Sequence, residues 1–323
     1  MQSPSMRGAA AAVAFMVGCG AAPGSPPIDP AGLISEESFA RQMSGLRVTL
    51  ARSGVVMDTE PTLRTCAWDH GGPGDCVVCD VATRADIHGL DSELLDGVAI
   101  AFARYPSKAI TAAQLERVAV CRRIRHENED PEHGPAGVAD LAAHRILISV
   151  EHFAEPHDPY FTIEQVVHHE MFHLFDRATL GESMLRDPEW SKLNPRGFAY
   201  RDPATAIERP AGFVDAYATT NEMEDRASVF EYLMGNPTEL CAITEADPVV
   251  RKKAALVWRR FAAVVGDAYL SRHAPCLHQK PKPKPKPADK PKRRVDKRRP
   301  YLRMRPAVPD CGSALRCGAA VRP

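Results

Sequence analysis

The sequence predicts an α+β fold, and two observations carry that prediction. Residues 145–150, Arg-Ile-Leu-Ile-Ser-Val, form a short β-branched run of the kind that makes a buried strand. Soon after it come apolar residues at helical spacing: Ile163, Val166, Val167, Met171, Leu174 and Phe175. Two further helical stretches follow, at about 221–234 and 248–269. A small edge sheet packed on the first of these helices, with the second crossing behind it, is the expected arrangement.

The chain has 323 residues, 44% of them hydrophobic and 25% charged. That suffices for one large domain or two small ones, and excludes a wholly disordered chain and a polytopic membrane protein. The formal net charge of zero conceals an asymmetry. Residues 280–305 carry +11 and residues 306–323 carry +1, which leaves −12 on residues 1–278. An acidic body therefore precedes a basic tail.

Arg7 and an apolar run to Val17 lead into a small-residue exit, the pattern of a secretory signal peptide over residues 1–22. The run is too short to span a bilayer, which needs roughly 20 residues. Val17-Gly18-Cys19 resembles a bacterial lipobox, with Met16 where Leu is usual; ordinary cleavage near Ala21 or Ala22 is the competing reading. The expected location is the bacterial cell envelope, by a lipid anchor on Cys19, or secretion. Export implies an oxidising compartment. Apart from Cys19, the cysteines are Cys66, Cys76, Cys79, Cys121, Cys241, Cys276, Cys311 and Cys317. An even set there favours disulfides between near neighbours, Cys311–Cys317 above all. A metal pair from Cys76 and Cys79, with Cys66 or His70, is the weaker alternative.

After a Pro/Gly/Ser-rich linker at 23–34, the globular region runs over 35–278. A helix is expected from Ser35 to about Leu50, and a Cys-stapled loop at 60–84. Residues 97–103, an apolar run, suit a strand. Residues 111–125 suit a helix, with Leu115, Val118 and Cys121 at helical spacing, and 127–137 a polar turn. Thr162 with Gln165 is a capping-box pattern for the helix that ends near Gly181. Residues 182–212 read as an irregular connection. Thr220 or Asn221 caps the next helix, which Gly235-Asn236-Pro237 stops. The third is expected from Pro248 to about Tyr269. From 279 to 323 the Lys-Pro alternation cannot build a core and favours an extended, solvated chain.

His169-Glu170-Met171-Phe172-His173 is an HExxH motif inside the helix that Thr162 opens. Positions i and i+4 share one helical face, so both imidazoles can reach one Zn²⁺. Zinc lowers the pKa of a bound water towards roughly 7, and the neighbouring Glu170 can take its proton as it attacks a carbonyl. The chemistry needs a third protein ligand and one open position. His168 points about 100° away on the helix and reads as an outer-shell or surface residue; His157 also lies near in sequence. Asp176, on the face of His169 and His173, either orients a ligand imidazole or is solvated.

A third ligand six residues beyond His173 would be Thr179, which does not serve. The acids Glu222, Glu224, Asp225 and Glu231 on the downstream helix are the candidates. Glu224 stands out because Ala227 and Ser228 on its face would let the two helices approach. The plain alternative is an acidic first turn that suits the helix dipole.

The segment from Tyr217 through Thr220-Asn221, Glu224, Ala227 and Phe230 resembles the second motif of gluzincin-type zinc peptidases, namely the lethal-factor-like and related zinc-binding metallopeptidase families. The resemblance covers about residues 140–235. It implies a zincin-like α+β metallopeptidase fold in which Glu224, 51 residues after His173, is the third zinc ligand and Tyr217 stabilises the oxyanion. A core aromatic is the other reading of Tyr217. The chain departs from those families at Asp225-Arg226, where an aromatic is usual, and at Ser228, where a Glu is usual.

The expected function is an exported zinc-dependent peptidase acting on a peptide or protein, with Glu170 and Tyr217 catalytic and His169, His173 and Glu224 on the metal. The rival is a non-catalytic cell-envelope binding lipoprotein with a structural zinc site or a degenerate peptidase fold. The tail reads either as a stiff spacer or as a contact for a polyanion; no specific nucleic acid is expected.

Overall fold

A computed structural model of the chain describes residues 36–66, 76–83, 86, 94–127, 134–153, 162–200 and 209–278. The described residues all lie in the first of two units, residues 1–280; the second, 281–323, lies outside them. The signal and lipobox at Cys19, the linker, His70, His157, the tail and the Cys311–Cys317 pair therefore fall outside the described residues.

The architecture is α+β. Helix α1 spans Glu36–Ala51. Short strands β1 (Val56–Met57), β2 (Thr62–Thr65) and β3 (Val77–Val81) follow. Next are helices α2 (Leu94–Ala103) and α3 (Ser107–Ala112), then strands β4 (Arg117–His126), β5 (Gly137–Asp140) and β6 (Arg145–Ser149). The sheet runs β2-β3-β4-β6-β5, with β1 parallel to part of β4. β4 and β6 are parallel; β5 returns antiparallel on β6. Every residue of β6 is buried, as expected of an internal strand covered on both faces. Its side chains alternate: Ile146 and Ile148 join the core under the helices, and Leu147 joins a second cluster with Leu63, Cys79, Ala119, Cys121 and Val138.

The helical layer consists of α4 (Ile163–Leu180), α5 (Pro188–Ser191), α6 (Glu222–Gly235), α7 (Pro237–Ala246), α8 (Pro248–Val265), α9 (Asp267–His273) and α10 (Pro275–His278). No helix among the described residues is long and apolar enough to cross a membrane.

Several expectations change. Residues 97–103 are helical, inside α2. A short apolar run does not distinguish strand from helix, and here the buried positions Leu94, Leu95, Val98, Ala101 and Phe102 recur at helical spacing. Gly97 lets α2 close onto the start of α4: a Cβ there would stand 2.7 Å from Cγ2 of Ile163. The helix expected at 111–125 divides. α3 ends at Ala112, Gln114 turns the chain with φ 57°, and β4 begins at Arg117. In β4, Val118 and Val120 face the helices while Ala119 and Cys121 face away, a two-residue period. The region expected as a turn to 137 yields the edge strand β5, so residues 145–149 form an internal strand. The third helix stops at Val265, where Gly266 has φ 90°, and α9 continues separately. α7 starts at Pro237, a residue favoured in the first turn, with the Asn236 side chain accepting from the Glu239 amide.

All six described cysteines are paired, as Cys66–Cys76, Cys79–Cys121 and Cys241–Cys276. Cys76 and Cys79 enter different bridges, which removes the metal reading of that pair. Only the first bridge joins near neighbours. The second staples β3 to β4, and the third ties α7 to α10.

Candidate metal centre

α4 begins on a complete capping box. The Thr162 hydroxyl accepts from the Gln165 amide, and the Gln165 side-chain oxygen accepts from the Thr162 amide at 2.9 Å. This fixes the helix phase that puts Gln165, His169 and His173 on one face. α6 begins on Asn221, whose side-chain oxygen accepts from the amides of Met223 and Glu224. The two helices run antiparallel: His173 meets the start of α6, and Gln165 meets its end. The small buried residues Ala227 and Ser228 let them pack closely. Near the C-terminal end of α6, a Cβ on Gly235 would lie 3.3 Å from Cγ of Gln165.

Between the helices one donor atom from each of His169, His173 and Glu224 lies within 4.8 Å of the others, all three residues buried. Glu224 Oε2 is 2.8 Å from His169 Nε2, and Oε1 is 3.4 Å from His173 Nε2. The imidazole rings are 4.8 Å apart. Two imidazole nitrogens and a carboxylate oxygen are the donor set of a zinc site with an open fourth position, so the residues fit the ion. Burial acts to lower the pKa of His169, but the carboxylates of Glu224 and Glu231 outweigh it and hold the imidazole well above its ordinary value.

The structure separates the four acids of α6. Glu224 alone faces both histidines. Glu222 accepts from the Asp187 amide and the Ser191 hydroxyl. Asp225 accepts from Trp190 Nε1 (2.9 Å), the Tyr200 hydroxyl (2.8 Å) and Lys253 Nζ (2.6 Å). Glu231, two turns past Glu224, lies on the far ring nitrogen of His169: Oε2 is 3.1 Å from Nδ1. Asp176 is buried, not solvated, and accepts from the buried Arg226 at 2.8 Å. Asp225 and Arg226 therefore anchor α6 to its neighbours through buried ion pairs.

Glu170 is 5% exposed and turns towards β5. A Cβ on Gly137 would stand 2.7 Å from its Oε1. Tyr217 is 44% exposed, not a core aromatic, with its ring 5.8 Å from that of His169. Its short turn, Tyr217–Thr219, is held by Asp215, which accepts from the Ala218 amide at 2.7 Å. Burial and the nearby Glu231 push Asp215 up to about 7. His168 is neither at the surface nor against the donors. It is fully buried on another face of α4, with the Tyr105 hydroxyl 2.7 Å from Nδ1 and Arg104 3.4 Å from Nε2.

Sequence reasoning missed three residues here. Local pattern marks Gln165 only as a cap, Glu231 only as a rival ligand, and Gly137 only as a turn residue. A glycine beginning a strand is a signal of close approach, and it becomes useful once β5 is known.

No family model matches the sequence, and no curated protein matches it. Among solved structures the chain is similar to a "putative zinc-binding metallo-peptidase" from Bacteroides caccae. The two share 15% identity over 76% of this chain and 96% of that one, with a TM-score of 0.39.

Proposed function

We propose that the chain is an exported zinc-dependent peptidase. One observation carries the reading: two histidines one helical turn apart and a carboxylate from a second helix converge in a buried cluster, and Glu170, next to His169 in the chain, is buried too. Nε2 of His169, Nε2 of His173 and the carboxylate of Glu224 would hold the ion. Zn²⁺, when bound, supplies a Lewis acid that polarises a carbonyl and makes water a nucleophile at neutral pH.

The chain's own residues do the rest. Glu170 takes a proton from the attacking water onto a carboxylate oxygen and later returns it to the leaving amine as the C–N bond breaks. The Tyr217 hydroxyl donates a hydrogen bond to the developing oxyanion. Among the described residues β5 pairs on one side only, so its outer edge can take an extended peptide as a further strand. The three disulfides support an oxidising location. Membrane attachment through Cys19 and a polyanion contact through the tail belong to the same proposal.

The test is Glu170→Gln, compared with wild type for zinc content and for hydrolysis of a broad peptide library. Zinc retained with hydrolysis lost supports the peptidase. Zinc bound by both proteins with no hydrolysis by either identifies a non-catalytic zinc protein instead.

A further inference from the structure

We propose that the N-terminal cap of α4 positions the ring of the ligand His169, through a chain of hydrogen bonds that runs Thr162–Gln165–Glu231–His169. Gln165 and Glu231 are then positioning residues for the metal centre, and the inference rests on the zinc reading above.

The polarity of the chain is fixed at its outer end. The Thr162 backbone amide can only donate, and it donates to Oε1 of Gln165 at 2.9 Å; the Thr162 hydroxyl lies 3.2 Å from the same oxygen. The amide side chain of Gln165 therefore cannot be flipped. Its Nε2 faces Oε1 of Glu231 at 3.1 Å and donates to it. The other oxygen of Glu231 is 3.1 Å from Nδ1 of His169. With Nδ1 engaged by Glu231, Nε2 is the ring nitrogen left over. That is the nitrogen facing Glu224 and His173. Gln165, His169 and Glu231 are all buried, so water does not compete for these bonds.

The arrangement also accounts for Ser228. The chain lacks a carboxylate at that position, one turn past Glu224, and supplies one from Glu231, two turns past it. Glu231 reaches the same face of α6 and the ring nitrogen that the donor cluster leaves over. A carboxylate in such a place orients the ring and raises its basicity, and loss of such a partner typically lowers metal affinity about 10- to 100-fold.

Gln165→Glu separates capping from relay. Glu serves a capping box as well as Gln does, but it replaces the amide donor with a carboxyl group set against the Glu231 carboxylate. Full-length wild type, Gln165→Glu and Glu231→Ala would be titrated with zinc against a chromophoric chelator. Their Co²⁺ forms would be compared by visible absorption, and their folding by thermal unfolding in chelator. The expected result is a roughly 10- to 100-fold loss of zinc affinity in both variants and an altered Co²⁺ spectrum, with both variants still unfolding cooperatively in chelator. Wild-type affinity and spectrum in either variant overturn the relay while leaving the peptidase reading intact. Wild-type protein that takes up no zinc overturns the peptidase reading and the relay with it.

Discussion

Gly137 and Glu170 are packed so closely that no side chain fits between them. A Cβ on Gly137 would lie 2.7 Å from Oε1 and 2.8 Å from Cγ of Glu170, and 2.5 Å from Cγ1 of Val166. Gly137→Ala must therefore displace either the carboxylate or the edge of the sheet. Misplacing a reacting group by about 1 Å costs on the order of 10²-fold in rate, and overpacking costs about 1–3 kcal/mol of stability. The expected variant is folded, binds zinc with wild-type stoichiometry and loses about 10²-fold in kcat. Unchanged kcat would show that this contact does not place Glu170.

Tyr217 is 44% exposed, so Tyr217→Phe leaves the packing of the turn intact. Tyr217→Phe is expected to change stability by less than about 0.5 kcal/mol. Loss of one hydrogen-bond donor to an oxyanion lowers kcat by about 10²–10³. Steady-state kinetics on one peptide should show the fall in kcat, with KM and zinc content unchanged.

Lys253 is fully buried and donates to Asp225 at 2.6 Å and to the Gly212 carbonyl at 2.9 Å, with the Phe213 ring 3.7 Å away. It joins α8 to the residue after Glu224 and to the segment that leads into Tyr217. Burial pushes Lys253 down and Asp225 up, and their attraction opposes both shifts. Lys253→Met strands a buried carboxylate, which costs about 3–5 kcal/mol. The double variant Lys253→Met/Asp225→Leu should cost less than the single one. Denaturant unfolding of the pair of variants measures the difference.

Asp187 caps α5 by accepting from the Glu189 amide at 3.0 Å, and pairs with Arg260 at 2.6 Å. Burial works to raise its pKa, but Arg260 and the backbone amides of Glu189 and Trp190 outweigh it and hold it below the ordinary carboxylate value. The folded state thus binds this proton less readily than the unfolded state. The resulting stabilisation is complete above the unfolded value, about 3.9, and disappears as pH falls through the lower folded value. Asp187→Asn should lower the melting temperature at pH 7. The gap from wild type should close as pH falls below about 3.9, as thermal scans across pH would record.

The helices that carry the donor cluster are legible because their signals are local. Thr162 with Gln165, the His169–His173 spacing and the Asn221 cap each lie within one or two turns of chain. The strands are harder. In β4 both faces are buried, so Val118, Ala119, Val120 and Cys121 form an unbroken apolar run that also suits a helix. β5 has four residues and owes its existence to pairing with β6. The partners of Asp225, Arg226 and Glu231 come from α4, α8 and the connection around Trp190 and Tyr200, which no local pattern predicts. Glu224 could be favoured in sequence by its small helical neighbours and by resemblance; its separation from Glu222, Asp225 and Glu231 appears only when α4 and α6 are placed together.

His169 and Glu224 are 55 positions apart in the chain. An ion gripped by both is a removable rivet across that span, and it grips only the folded form. Heat resistance then becomes a gauge of free metal. At a zinc concentration a thousand times the Kd the added stability is about 4 kcal/mol, and a chelator should withdraw it, lowering the unfolding temperature in step with the zinc removed.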